Sequence, residues 1–409
     1  MKTTNSDDSN VKILNKDIKK ISNLKEKNVF ATRMHNVNLG ILSFGLGILT
    51  LANTWFQYLV VTGDSDPNKI IPFQAVCAAI QLSIIVIILL KWIVDFKTIK
   101  VALFEPTETA HLPLLWLLLV SFSTFLFQLA GSDVTGDPEN KFLFMFGQIL
   151  WWIGMIPQIL YFGFWWYVMV KNGKFKDIDS SILIPNIGLS VGTAVPANMF
   201  ANNSIYSVII PILWLFSFLM YLLCLVLILW RHLFVQPALS EKLAPTIAII
   251  GSGGSLLLAT FYGIGVDAHN AGTDQFYDKL FGTNWTIFMI WMLFIVSTMM
   301  GFIVYMSIFK YLFAKQFNPN MNSFTFPTAI SAGGTLTFAA FSGDMGYGSS
   351  LINGLKIVGL IQLCVSTLIH THLLISNTFA TGYALSVSPE NYKLDNTKIK
   401  KYYLNFLKD

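Results

Sequence analysis

Charge is scarce in this sequence. Only 12% of its 409 residues are Asp, Glu, Lys or Arg, whereas 54% are hydrophobic. A soluble globular domain carries about 25% charged residues, so this deficit excludes an ordinary water-soluble fold. The mean hydropathy of +0.59 points to lipid as the main solvent. Cysteine is nearly missing as well. Cys77, Cys224 and Cys364 all lie inside apolar runs, too few for a disulfide framework. No CxxC or Cys/His spacing suggests a metal, and no cofactor is expected. Long polar loops are lacking too, which leaves no room for a separate soluble domain. Residues 1–36 are polar and lysine-rich, without the apolar core of a signal peptide. Basic residues beside a first span serve orientation, so no nucleic-acid partner is expected.

What remains is apolar sequence in span-sized pieces. Crossing the hydrocarbon takes about 20 mainly apolar residues. Ten such spans are predicted, at 37–62, 70–95, 112–130, 142–170, 182–201, 205–230, 245–266, 284–309, 323–343 and 350–376. The chain thus reads as a tail (1–36), one transmembrane domain (37–376) and a second tail (377–409). With ten spans, both tails share a side with the even-to-odd loops, and that side holds 23 of the 27 Lys/Arg residues. These include Lys91, Lys97, Lys100, Lys171, Arg231 and Lys310. The opposite side has Lys69, Lys141, Lys279 and Lys356 against nine acids, Asp133, Asp137, Asp267 and Asp274 among them. By the positive-inside rule both termini are cytoplasmic.

Odd and even spans differ in kind. Gly, Ser, Thr and Asn make up 37 of 108 residues in the odd spans but 20 of 134 in the even ones. Pro113, Pro185, Pro245 and Pro327 each sit near the cytoplasmic start of an odd span, where proline opens a helix or loosens its first turn. Loosened backbone needs protein or water around it rather than lipid. Small residues also permit close helix packing, which accounts for any one span alone. Their alternation over five spans predicts five helical hairpins, with odd helices inside and even helices facing lipid. No Asp, Glu, Lys or Arg lies in the middle of an odd span. Since a mid-bilayer charge costs at least about 2.5–3.5 kcal/mol, those that persist carry proton relays or ions. Their absence argues against a proton pump and suits a conduit lined by hydroxyls, backbone dipoles and apolar rings. No acid/base pair or nucleophile constellation marks an enzyme.

Other candidate residues have simpler readings. His111 lies at the start of span three, where it could protonate near neutral pH. His370 and His372 point in different directions on a helix and make no metal pair. Lys356 snorkels. Asn38, Asn53, Asn186 and Asn198 either line a pore or pin helices together. "GSGGS" (251–255) lacks the Lys-Ser/Thr ending of a phosphate loop and lies inside an apolar span.

At residues 317–327 the chain reads "FNPNMNSFTFP". This resembles the ninth-helix start of the tellurite-resistance/dicarboxylate transporter family, which includes the slow anion channels of plant guard cells. The family pattern there is close to F-S-x-x-W-W-A-(F/Y)-T-F-P. Phe317, Phe324, Thr325, Phe326 and Pro327 fall at matching places. "FGLG" (44–47), "EP" (105–106), "IPNIGLSVG" (184–192) and "LIH" (368–370) agree more loosely. The paired tryptophans of the pattern are Met321 and Asn322 here.

The resemblance implies an all-α integral membrane fold. Its ten helices would form five hairpins in quasi-fivefold arrangement around a central pore lined by the odd helices. It further implies a homotrimer in the plasma membrane that passes small anions, or else a carrier of C4-dicarboxylates, with or without protons. A phenylalanine plug on the ninth helix maps to Phe326, with Phe324 as second candidate. On an ideal helix Ile330 and Gly333 share the Phe326 face, with Gly334 and Thr337 close by. The remaining candidates for the pore wall are Ser43, Gly45, Asn186, Gly188, Gly192, Ser252 and Gly253.

Overall fold

The computed structural model describes residues 33–34, 36–64, 66, 69–105, 109–131, 138–173, 178–194, 204–234, 244–270, 275–313 and 317–386. Most of the two expected tails, residues 201–203 and Asn198 lie outside these. Helices α1 (Ile41–Val61), α2 (Ile71–Val94), α3 (Phe96–Ala102), α4 (Leu114–Ala130) and α5 (Lys141–Asn172) come first. Then follow α6 (Leu183–Ile187), α7 (Ser204–Phe234), α8 (Ile250–Asn270), α9 (Gln275–Ser307), α10 (Thr325–Asp344) and α11 (Ser349–Ser386). There is no strand among the described residues. Among them seven helices are long and apolar enough to cross a membrane.

The other three expected spans fall short for identifiable reasons. Helix α4 has 17 residues, a length of about 25 Å at 1.5 Å per residue. Helix α10, Thr325–Asp344, has the length but spends it on Gly, Ser and Thr. Span five, expected as a helix over 182–201, is not one regular helix. The single α-turn α6 sits between 3₁₀ segments at Ser180–Ile182 and Gly188–Thr193. Pro185 removes an N–H there, and Gly188 and Gly192 lower the helical preference on either side. The last helix also runs beyond the expected end of span ten at residue 376, reaching Ser386.

The chain forms two compact units. In the smaller, Lys91 Nζ donates to the Met34 carbonyl at 2.9 Å and Asn36 Nδ2 donates to the Ala384 carbonyl at 3.1 Å. The larger unit, residues 39–88 and 100–377, holds most of the helical framework. Within it the odd spans are the buried ones. The apolar stretch of α8 with its 3₁₀ start is 78% buried, against 28% for α7. Helices α5, α7 and α9 instead turn large apolar side chains such as Leu160, Val226 and Phe302 outward. Contacts join α1 to α4, α4 to Gly188–Thr193, that segment to α8, α8 to α10, and α10 back to α1. Outside them, α5 packs on α4 and α9 packs on α8.

Irregular backbone inside a membrane needs substitute hydrogen bonds, and α5 provides them for span five. Trp151 Nε1 donates to the Gly192 carbonyl at 2.9 Å, Gln158 Nε2 to the Pro185 carbonyl at 3.4 Å, and Trp166 Nε1 to the Asn186 side-chain oxygen at 3.0 Å. Helices α1 and α10 are tied by Thr325 Oγ1 donating to the Ser43 carbonyl at 3.0 Å and by Gln57 Nε2 donating to Thr337 Oγ1 at 2.7 Å.

Candidate functional site

Each odd span begins irregularly, and these beginnings meet. Pro113 caps α4. The side chain of Asp179 accepts from the Ser181 N–H at 2.9 Å and so starts the 3₁₀ turn of span five. A 3₁₀ segment, Ala244–Ile249, leads into α8. Ahead of α10, Asn318 caps the 3₁₀ turn Pro319–Phe324 by accepting from the Asn320 N–H at 3.0 Å, with Pro319 in the first turn. This is the arrangement that an Asn-Pro pair favours at a helix start.

Between them lies a cavity of about 40 Å³. Its wall takes Ser43 and Leu46 from α1, Leu114 and Leu117 from α4, and Ile184, Ile187, Gly188 and Val191 from span five. The rest comes from Ile249, Ser252 and Leu256 of span seven and from Asn322, Ser323, Phe326 and Pro327 of span nine. All five odd spans contribute and no even span does. A water needs roughly 10–15 Å³ measured this way, so the space suits about three waters or one small ion. No lining residue is ionisable; hydroxyls, one amide and backbone are the polar groups.

Phe326 stands out by exposure. From Met321 to Ala339 every residue is buried except Phe326, which is half-buried and reaches the cavity. Phe324, two residues earlier, is fully buried and does not line it. Ser43, Gly188 and Ser252 are the other sequence candidates at the wall. Most of the remainder serve helix contacts. A side chain at Gly45 would meet Leu118 and Ile84; at Gly192, Met155; at Gly253, the Tyr221 ring; and at Gly334, Ser255. Asn186 donates to the Ile182 carbonyl at 2.6 Å and accepts from Trp166, so it pins span five to α5. Ile330 and Thr337 are buried, Thr337 accepting from Gln57, and Gly333 faces Thr54 and Gln57 of α1. The "GSGGS" stretch divides its residues: Gly251 and Gly254 admit α9, Gly253 admits α7, and Ser252 alone reaches the cavity.

Sequence reasoning missed the apolar lining of Leu46, Leu114, Leu117, Ile184, Ile187, Val191, Ile249 and Leu256. An apolar residue in an apolar span carries no contrast. Asn322 was within reach, because it stands where the family pattern has a tryptophan.

His111, His370 and His372 do not line the cavity. His111 is 8% exposed, and burial pushes its imidazole down to about 4, so it stays neutral near pH 7. His370 is buried, with Nδ1 2.8 Å from the Ser366 carbonyl, whereas His372 is exposed. Asn53 accepts from Gln74 of α2 at 3.2 Å. Among the described residues no group of three or more His, Cys, Asp or Glu could hold a metal.

Long apolar helices with a buried, polar-speckled interior define an all-α, multi-pass membrane protein. The neutral cavity walled by its five odd spans matches a transport function. The chain belongs to the voltage-dependent anion channel family, whose profile matches residues 36–377. Among curated proteins none matches the sequence.

Proposed function

We propose that the protein is a passive channel for small anions, with a neutral pore running through the ring of odd spans and Phe326 as its gate. The observation that carries this is the cavity to which all five odd spans contribute, walled without a single ionisable side chain and touched by the one incompletely buried residue of a long buried stretch. The contacts that run from α1 through α4, span five, α8 and α10 back to α1 support a quasi-fivefold arrangement of five hairpins. The first turns of α1, α4, α8 and α10 line the cavity. The helix dipole makes such an end attractive to negative charge, so an anion is favoured without a lysine or arginine. A phenyl ring in the cavity excludes water, and an anion must shed hydration to pass it.

A carrier of C4-dicarboxylates, the alternative, would have to desolvate two carboxylates. Hydroxyls and a single amide offer no counter-charge for that, and proton coupling has no titratable group at the wall. The expected homotrimer, the plasma membrane and the cytoplasmic termini complete the proposal. They rest on family membership and the distribution of basic residues.

The test is electrical. With the full chain reconstituted in liposomes, Phe326→Ala gives a large rise in chloride and nitrate current. Flux that stays slow, saturable and proton-coupled in this variant refutes the channel.

A further inference from the structure

The tryptophan pair of the family pattern is replaced here by Met321 and Asn322. Met321 is buried apolar filling. Asn322 does something more specific. It lines the cavity, four residues before Phe326, and its amide is paired reciprocally with Asn377 of α11. Asn322 Nδ2 donates to Asn377 Oδ1 at 3.0 Å, and Asn377 Nδ2 donates to Asn322 Oδ1 at 2.7 Å. The second hydrogen of Asn377 Nδ2 goes to the Leu373 carbonyl one turn back, at 2.8 Å. That carbonyl can only accept, which fixes the orientation of the Asn377 amide and through it that of Asn322. Both residues are buried, at 1% and 6% exposure. Buried neutral amides of this kind are costly to leave half-paired.

The backbone of Asn322 is engaged as well. Its carbonyl accepts from the Thr325 N–H and from Thr325 Oγ1, the latter at 2.7 Å. The side chain of Asn322 is thus anchored on an outer helix while its carbonyl anchors the first turn of α10. Phe326 is the next residue along that turn. One turn further on, Thr328 Oγ1 and Ser366 Oγ lie 3.1 Å apart and join α10 to α11 again.

We infer that Asn377 is a positioning residue for the gate. Through the Asn322 amide it holds the 3₁₀ turn Pro319–Phe324, and hence Phe326, in the cavity-filling position, so that α11 sets how readily the pore opens. This rests on the reading of Phe326 as the gate. Asn377 does not line the cavity and touches no permeating ion. Its influence runs only through Asn322. A pair of neutral amides also makes the latch insensitive to pH, unlike an ion pair in the same place.

Anion flux through the full-length protein in liposomes, with chloride and nitrate as probes, tests this in two backgrounds. Asn377→Leu keeps the branched outline of the side chain and removes both amide bonds. Interhelical hydrogen bonds in membranes have a strength that converts to a flux increase of roughly 3- to 15-fold in the native background. The half-saturating anion concentration stays unchanged, because the wall is intact. With Phe326→Ala already present, Asn377→Leu changes flux less than about 1.5-fold, since no ring remains to be held. Asn377→Ser, which still bonds its own helix carbonyl, gives the same pattern and serves if the leucine variant does not fold. Equal effects in both backgrounds, no effect in the native background, or a lowered flux there each overturn the latch. If Phe326→Ala raises flux and neither Asn377 variant does, the latch alone fails. If Phe326→Ala leaves flux unchanged, the gate reading fails and the latch falls with it.

Discussion

Gly47 offers a sharp test of how α1 and α10 cross. A Cβ built there would collide with Thr325 Cβ and Oγ1 and would stand 2.8 Å from the Phe326 backbone nitrogen. The backbone of α10 cannot swing away as a flexible side chain could. Thr325 Oγ1 is also committed, its one hydrogen shared between the carbonyls of Ser43 and Asn322. Gly47→Ala therefore pushes the two helices apart at the level of the cavity. Overpacking of this kind costs about 1–3 kcal/mol. Against this stands a gain of roughly 0.5–1 kcal/mol from replacing glycine inside a helix. Gly263, on α8, has nothing within 4 Å of its would-be Cβ and shares only the gain. The helix term cancels between the two variants, leaving a gap of about 1–3 kcal/mol that belongs to the crossing alone. Thermal unfolding in detergent reads it: Gly263→Ala sits at or slightly above the native midpoint, and Gly47→Ala below it, on the order of 2 °C per kcal/mol. Flux should change only for Gly47→Ala, which displaces the Phe326 backbone. Equal midpoints for the two alanines would falsify the close-crossing argument.

Other expectations are simpler to state. Trp151→Phe leaves the Gly192 carbonyl of span five without its donor and lowers stability by about 1–3 kcal/mol, read as a lower midpoint in the same assay. Ser252→Leu, introduced together with Phe326→Ala, fills part of the roughly 40 Å³ cavity and brings anion flux back down; unchanged flux would remove Ser252 from the wall. The cavity has no titratable lining, so flux through Phe326→Ala stays level between about pH 6 and 8, the range in which an unperturbed histidine would switch. Stability behaves differently. The unfolded chain binds a proton at His111 more readily than the folded one, so stability held above pH 6.5 is lost as pH falls towards about 4. His111→Gln shows a flatter midpoint-versus-pH curve across that window.

The sequence made the inner and outer spans legible because lipid and protein interiors select different residues. Ser, Gly and Thr cluster in α8 and α10, and these are buried, while Leu160 and Val226 on even helices face outward. The candidate site was legible only in part. Motif position put Phe326 first and Phe324 second, and the register at the start of α10 separates the ring in the cavity from the ring in the core. Glycines were the least decisive signal. Gly188 borders the cavity, yet a Cβ there would stand 2.9 Å from Gln158 Nε2 and from Leu117, just as one at Gly253 would meet Tyr221. Asn186 illustrates the same ambiguity for amides: it faces a tryptophan of α5.

The hydrogen bonds from α5 to span five bear on how the protein is made. A segment with broken helical pairing leaves several carbonyls bare if it enters lipid alone, at a cost of several kcal/mol for each. Span five can therefore settle only once Trp151, Gln158 and Trp166 are in place beside it. Those three lie on the helix synthesised just before it. The order of translation thus supplies the chaperoning groups first, and α5 acts as an assembly template as well as a lipid-facing wall.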